Sequence, residues 1–454
     1  MAGLTNILEI GRRSLSTNQY GLSVTSHNIS NASTPGYNRQ RLNVTEADAA
    51  KTSFGFIGAG VTIHSVDRLK SSYINQQIYT VNQNQGRASQ RQSILGLTES
   101  FLQEPSDTGL SATMSKFFSS FQDLSLHPEE SANRNAVVQK AGLMVETFHR
   151  IADSMSSLND DVMKEAMGKV DRINALVTTI AGLDQAIMSA SAVGSSPNDV
   201  KDQRDLQLTE LSKLADIRVT DGPNGSVNVS IAGNMILSGG ASSSLTTTMN
   251  GSQLELRMTN LTNPITVKGG ELGALMTMQN STLPGYMGKL NEVASAIITN
   301  VNALHRTGYG IGSPPPTGLD FFTGTDAKSI TVNPLLAENS NNVATSKDGA
   351  AGDNTVALQI ANLQNATLMN SNTSTVGQYY NGVVSTIGTE IEAATTESDA
   401  TLLVQEQLTT QQNSVSGVSL DEEMTNLIKY QHGFDAAARV INTVNDMFKT
   451  IINM

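Results

Sequence analysis

The chain has 454 residues, a formal net charge of −12, 38% hydrophobic and 4% aromatic residues, and neither Trp nor Cys. That length allows two to four domains with a substantial core, while an acidic balance without a basic patch excludes a nucleic-acid backbone as partner. The lack of cysteine excludes disulfides, thiolate metal sites and a cysteine nucleophile, and no apolar run reaches the ~18–20 residues of a membrane span, so no membrane insertion is expected.

Residues 4–29 read as a helix. Leu4, Leu8, Gly11, Leu15, Asn18, Leu22, Thr25 and Ile29 alternate four and three apart. This is a heptad seam with a strong row, Leu8, Leu15, Leu22 and Ile29, and a small or polar one. The N-terminus lacks a basic segment followed by an apolar core, so no cleavable secretory signal is expected. The helix runs into NISNASTPGY, where Thr34, Pro35, Gly36 and Tyr37 fit a tight turn with Pro second and Gly third. Extended chain is expected to about residue 72, with FGFIGAGVTI (54–63) as a strand.

Residues 73–126 read as two or three helical pieces. From Val137 through Leu158 to Ile187, apolar residues keep a four-three rhythm that implies one very long helix or two stacked ones. A further helix starts at PNDVKDQRDLQLTELS, with Asn198 or Asp199 as its cap. Its Asp199, Asp202 and Asp205 stand beside Lys201 and Arg204 at the spacing of a surface salt-bridge ladder. Short strands with turn residues between them fill 217–270. Helix returns over 271–304 and again near 355 and 377–413, and 377–414 carries five acids and no Lys or Arg, which reads as a solvated face. Finally Leu420, Met424, Leu427, Gln431, Phe434, Ala438, Ile441, Asn445, Phe448 and Ile452 step four and three to the end. A single helix cannot bury such a stripe. The other terminus and other copies of the chain are its candidate partners, and the low apolar content of a two-helix coil favours the copies.

No catalytic pattern emerges. The six histidines, 27, 64, 127, 149, 305 and 432, form no metal-type pair. There is no nucleophile elbow or phosphate loop, and the glycines of GYGIGSPPP precede three prolines, so no helix can follow to bind a phosphate. No cofactor is expected.

SHNISNASTPGYNRQ (26–40) and GVSLDEEMTNLIKYQHGFDAAARVINTVNDMFKTIINM (417–454) resemble the two ends of the axial proteins of the bacterial flagellum, the rod, hook and hook-associated proteins. PNDVKDQRDLQLTELS and GGELGALM (269–276) are similar to the middle of the hook-associated members that join hook to filament. The resemblance implies a mainly α fold with a small β insertion. Residues 1–40 and 415–454 would form an inner coiled coil lining the channel, 41–216 and 271–414 a helical rod-like domain, and 217–270 an outer β domain. It implies a structural adaptor without enzymatic activity, exported unfolded by the flagellar type III system. Its partners would be copies of itself in a ring, the hook protein, the next junction protein and filament, and a cytoplasmic export chaperone on the C-terminal helix. Expected assembly contacts are Leu8, Leu15, Leu22, Ile29, Pro35, Gly36, Tyr37, Leu420, Met424, Leu427, Phe434, Ile441, Phe448 and Ile452. The Asn-rich turn would be polar because it lies between layers of subunits. Gly433 departs from a good helix former in mid-helix, at about 1 kcal/mol, and would mark close approach by a neighbouring helix. The alternatives are a hook or distal-rod protein, a secreted coiled-coil adhesin or effector, and a wall hydrolase. The central segments argue against the first, the paired terminal heptads against the second, and the missing catalytic cluster against the third.

Overall fold

A computed structural model describes residues 2–52 and 55–453. Helix α1 (Ala2–Ser30) ends at the Asn-rich turn, and the chain then forms a ribbon. Strand β1 (Gln40–Glu46) pairs antiparallel with β4 (Val61–Arg68) across a bulge at Asn43/Val44, and β2 (Ala50–Thr52) pairs with β3 (Gly55–Ile57) beyond it. The single strand expected over 54–63 is thus two strands broken at Gly58–Gly60, with Phe54 outside the described residues.

Four helices follow: α2 (Ser72–Leu102), capped by Ser71 onto the Ile74 amide, α3 (Leu110–Leu126), α4 (Ser131–Ala192) and α5 (Asn198–Leu214). The long four-three rhythm is one helix of 62 residues, about 90 Å at 1.5 Å per residue. Neither Asn198 nor Asp199 caps α5, whose N-cap position is Pro197 with no side-chain bond. The Asn198 amide instead donates to the Val66 carbonyl at 2.8 Å.

Strands β5 (Ile217–Asp221), β6 (Val227–Ile231), β7 (Asn234–Ser238) and β8 (Ala241–Ser242) form a four-stranded antiparallel meander. A hairpin of β9 (Leu245–Asn250) and β10 (Gln253–Met258) turns at Gly251, whose φ of +63° suits glycine. The helical chain returning from it is α6 (Gly270–Thr277), a π-helical turn (Met278–Thr282) and α7 (Leu283–His305). Pro284 has no amide to continue the α pattern, which accounts for the irregular turn before it. That turn holds the hairpin: Asn280 donates to the Leu254 carbonyl at 2.8 Å and accepts the Leu254 amide at 2.7 Å. A loop-rich segment contains β11 (Phe322–Thr323), β12 (Thr331–Val332), α8 (Pro334–Glu338) and α9 (Thr355–Asn362). Helix α10 (Val376–Ser416) opens on a Thr375/Gln378 capping box, and three residues link it to α11 (Leu420–Ile452), capped by Ser419.

One hydrophobic core runs from Tyr79 to Ala394. Strand residues Val229, Ile231, Leu245 and Leu256 lie in it together with Val170, Val177 and Ile180 of α4, so the strands share the helices' core rather than building their own. Few aromatics are available, and five of the eleven phenylalanines cluster at one place: Phe117, Phe118, Phe121, Phe321 and Phe322, with contacting centroids 4.7–5.7 Å apart. Beside them Arg134 is fully buried, donating to the Pro128 and Val343 carbonyls and to Thr345 Oγ1. Its bonds fasten the start of α4 to the 343–345 loop.

His305 lies edge-on to Phe321. Its Nε2 receives the Ala344 amide at 3.0 Å, so that nitrogen bears the lone pair and Nδ1 carries the proton toward the Leu319 carbonyl at 2.7 Å. Burial pushes the ring's pKa down to about 4. Between an unfolded value near 6.5 and that folded value, the unfolded chain binds a proton that the folded one excludes. His305 therefore stabilises the fold fully above about pH 6.5 and loses that contribution, roughly 3 kcal/mol, as the pH falls through the window to about 4. Urea unfolding of wild type and His305→Gln at pH 7 and 4.5 measures it: the gap between the two proteins should narrow at the lower pH. A gap that does not change with pH would show that the ring does not titrate in this way.

Candidate functional site at the joint of the terminal helices

The chain's two ends meet. Helices α1 and α11 pack antiparallel, and glycines set their separation. A Cβ on Gly11 would lie 2.9 Å from Ile441 Cγ1, one on Gly21 2.5 Å from the Tyr430 ring, and one on Gly433 would collide with Asn18 Oδ1. Gly433 therefore does mark close approach, by the chain's own α1. The small and polar row of α1 is the buried one: Gly11, Gly21, Thr25 and Asn28 are shielded, whereas Leu8, Leu15, Leu22 and Ile29 are each half-buried.

On α11 the expected stripe is half right. Leu427, Phe434, Ile441 and Phe448 are half-buried. The buried companions are Glu423, Ala437 and Val444, with Tyr430 half-buried between them. These stand one residue before Met424, Ala438, Asn445 and Gln431, where the seam was expected. The shift arises because small side chains let the helices approach, and the closest approach selects the row facing the glycines of α1. Leu420, Met424 and Ile452 consequently remain 53%, 52% and 79% exposed.

At the open end of this pair the Asn-rich turn forms a polar knot. Pro35 and Gly36 are exposed, Gly36 at φ +79° and Tyr37 N bonding Thr34 O at 3.2 Å, which is the Pro-second, Gly-third turn expected. Asn31 closes α1 by donating to the His27 carbonyl at 3.0 Å. Asn28 makes every hydrogen bond its amide can. Its Nδ2 donates to the Gln40 carbonyl (2.9 Å) and to Glu423 Oε2 (3.1 Å). Its Oδ1 accepts the Gln40 amide (3.0 Å) and the Tyr37 hydroxyl (2.7 Å). Burial, with Asp199, Asp202 and Glu423 nearby, pushes the Tyr37 hydroxyl's pKa up, so it remains a donor. Glu423, only 2% exposed, receives Arg39 Nε at 2.7 Å, while Arg39 Nη1 reaches Glu422 at 2.6 Å. The Arg39 amide also donates to the Ser416 carbonyl at the end of α10.

The acids of α5 complete the knot, and they are not the surface ladder their spacing suggests. Asp202 and Asp205 are buried and bind across the chain. Asp202 accepts the amide and side chain of Asn38 (3.1 and 2.6 Å) and Arg68 (2.6 Å), and Asp205 accepts Arg68 (3.1 Å) and Lys70 (2.6 Å). Asp199, more exposed, receives Gln40 at 2.9 Å. Arg204 donates to buried Asp184 at 2.9 Å and also lies 3.6 Å from Asp205. Burial raises the Asp202 pKa against the pull of Arg68; for Asp205 burial is the largest single influence, but Lys70, Arg68 and Arg204 together outweigh it and hold the carboxyl low. Asn28, Asn31 and Asn38 of the turn thus find their partners inside the chain, while Ser33 and Thr34 stay exposed. Helical periodicity could not reveal Asp202 and Asp205, since their partners come from 38–70. The one available signal was a pair of acids on the apolar-leaning side of a short helix.

Chemically the arrangement holds and positions. Among the described residues no group of three or more His, Asp or Glu side chains is placed to hold a metal ion, and no helix is long and apolar enough to cross a membrane.

A family model described as the flagellar hook-associated protein FlgK helical domain matches residues 95–322, and one described as the flagellar basal body rod FlgEFG protein C-terminal matches residues 411–454. The chain is 28% identical to the flagellar hook-associated protein 1 of Bacillus subtilis, over 98% of this chain and 97% of that one. It is 26% identical to the protein of the same name from Salmonella typhimurium, over 99% and 100%. Among solved structures, the flagellar hook junction protein FlgK from Burkholderia pseudomallei superposes with a TM-score of 0.66 at 15% identity, over 75% of this chain and all of that one.

Truncating Glu423 to Ala should leave Arg39 and the Asn28 amide without their buried acceptor, at about 3–5 kcal/mol if the loss is like that of other buried pairs broken on one side. The penalty should fall on the terminal pair. Hydrogen exchange is expected to rise in residues 2–30 and 420–452 and to stay unchanged in α4, with Glu423→Gln intermediate. Equal acceleration throughout would mean that the knot is part of the global fold instead.

Proposed function

The chain belongs to the flagellar hook-associated protein FlgK family, and from that premise we propose how its joint serves the junction between hook and filament. It is a structural component of the bacterial flagellum, located there and assembling with hook and filament components. In that role it does no chemistry. Copies form a ring at the distal end of the hook, presenting one face to the hook protein and the other to the next junction protein and filament. Residues 1–40 and 415–454 form the inner layer, 41–216 and 271–414 the rod-like body, and 217–270 the outer part.

The observation that carries this reading is the imbalance between body and ends. The body buries most of its apolar residues in its cores, whereas α11, whose fully buried apolar residues are Ala437 and Val444 alone among the described residues, leaves Leu420, Met424, Ile428, Val440, Met447, Ile451 and Ile452 open while the knot holds the helix pair in a fixed pose. A monomer gains nothing from such a surface, but neighbouring copies can cover it. Leu8, Leu15, Leu22 and Ile29, each half-buried, and the exposed Pro35–Gly36 edge beside Tyr37 are the contacts proposed on the N-terminal side. Leu427, Phe434, Ile441 and Phe448 join the exposed set on the C-terminal side. Before assembly the same face is an aggregation hazard. A cytoplasmic chaperone that covers α11, followed by unfolded export through the flagellar type III system, fits that need.

Deleting the gene tests the role: motility should be lost with hooks intact and unpolymerised filament subunits in the medium. Absent hooks would point instead to a hook or rod protein, and filaments still attached would sink the junction reading. Within the same system Leu22→Asp should abolish incorporation yet leave secretion intact. A charge in a covered seam costs several kcal/mol, whereas an unfolded chain in transit has no seam. Retention of the variant inside the cell would contradict that separation.

A further inference from the structure

Helix α5 presents two different sides. Leu208 and Leu211 are buried in the core, and Arg204 bonds Asp184 on that side. Asn198, Asp199, Asp202, Asp205 and Leu206 fall within about 120° of one another on the other side, a single helix face. Several stretches of chain land on that face. Asp202 takes Asn38 from the strand leaving the turn and Arg68 from the strand returning to it, and these two strands pair at Gln40 and Arg68. Asp205 takes Arg68 and Lys70. Asn198 donates to the Val66 carbonyl at 2.8 Å and to Gln40 Oε1 at 3.2 Å, while Gln40 Nε2 donates to Asp199 at 2.9 Å. Leu206 is the apolar member, and Gly36 lies against it: a Cβ on Gly36 would be 3.3 Å from Leu206 Cβ.

The ribbon in turn packs on α1, where Gly60 lies against Ile10. Helices α1 and α11 and the ribbon therefore make one terminal unit. The chain connects this unit to the helical body at two places, residues 69–71 before α2 and residues 417–419 between α10 and α11. Two short connectors leave a rotation about the line that joins them. The Arg39 amide on the Ser416 carbonyl sits at the second connector, close to that line, and restrains it little. A third point of attachment removes the rotation, and the face of α5 supplies it. Asp202 and Asp205 are only 6% and 7% exposed, and their bonds are charge-assisted. The carboxylates that hold the unit together are different ones: Glu422 and Glu423 of α11 receive Arg39, and Glu423 receives Asn28 as well.

We infer that the polar face of α5 sets the direction in which the terminal helix pair leaves the body, separately from the knot that holds the pair together, and that Asp202 is its main positioning residue. Asp202 holds the outgoing and the returning strand of the ribbon at once, and it acts through Asn38 and Arg68. An apolar contact such as Gly36 on Leu206 tolerates sliding, whereas several hydrogen bonds converging on one carboxylate fix both distance and angle. The pose belongs to the single chain, whichever partners it later meets.

The chain has no cysteine, so introduced thiol pairs report directly. In the purified full-length protein, Gln40→Cys/Asp199→Cys spans the contact with α5, and Gly21→Cys/Tyr430→Cys spans α1 and α11. A short bifunctional thiol reagent converts each pair into a looped chain of altered mobility on a denaturing gel. Asp202→Ala should slow the first product about tenfold, the effect of roughly one charge-assisted bond lost, and leave the second unchanged. Glu423→Ala should do the reverse. Arg68→Gln, which removes a partner of Asp202 without altering α5, should follow Asp202→Ala and takes its place where that variant does not fold. Asp202→Asn, which keeps an acceptor for Asn38, should fall between wild type and Asp202→Ala. If Asp202→Ala and Arg68→Gln slow both products alike, or slow neither, the positioning role of α5 is overturned.

Discussion

The structure depends on one amide side chain being completely satisfied. Asn28 bonds to two backbone groups of Gln40, one hydroxyl and one carboxylate, and each partner belongs to a different part of the joint. The Gln40 backbone fixes where the chain leaves the turn, Tyr37 fixes the turn itself, and Glu423 fixes the start of α11. A buried carboxylate is expensive unless it is paired and hydrogen-bonded, and Glu423 is both. The aliphatic side chains of the two helices are mostly half-covered, so directional bonds rather than buried area define how the pair leaves the body. That suits a surface whose apolar groups are kept for neighbours.

Periodicity made much of this legible. The four-three rhythm from Val137 to Ile187 is one helix, and Pro35-Gly36 is the turn that its residue types require. What it could not supply was the identity of the α11 row that faces α1. Met424 looks like a core residue in a heptad count, yet Glu423 is the buried one, because a charged side chain with two donors waiting outweighs a methionine with none. The same blindness covers Asp202 and Asp205: i, i+3 spacing carries no information about an arginine 134 residues earlier. The strands over 217–258 were readable as strands, but their sharing of a core with α4 depends on contacts such as Asn174 with both backbone groups of Leu245, which no local pattern encodes.

Body and ends differ in the kind of interaction they use. The body has a continuous hydrophobic core, a phenylalanine cluster and even a fully buried arginine whose donors are met by carbonyls and a threonine hydroxyl. The terminal pair relies on glycines and a polar knot. Substitutions in the first should read out as global stability, and those in the second as local pose. A methyl added at Gly11, Gly21 or Gly433 would press on the side chains of Ile441, Tyr430 and Asn18, so these three positions set the spacing of α1 from α11.

The bond between Asn28 and Glu423 spans 395 positions of sequence. Loop closure over that distance is slow and entropically costly. The two stretches must therefore find each other across the whole body, and a chain that lacks residues 420–452 can fold much of that body yet leaves α1 without its packing partner and the turn without a carboxylate to receive.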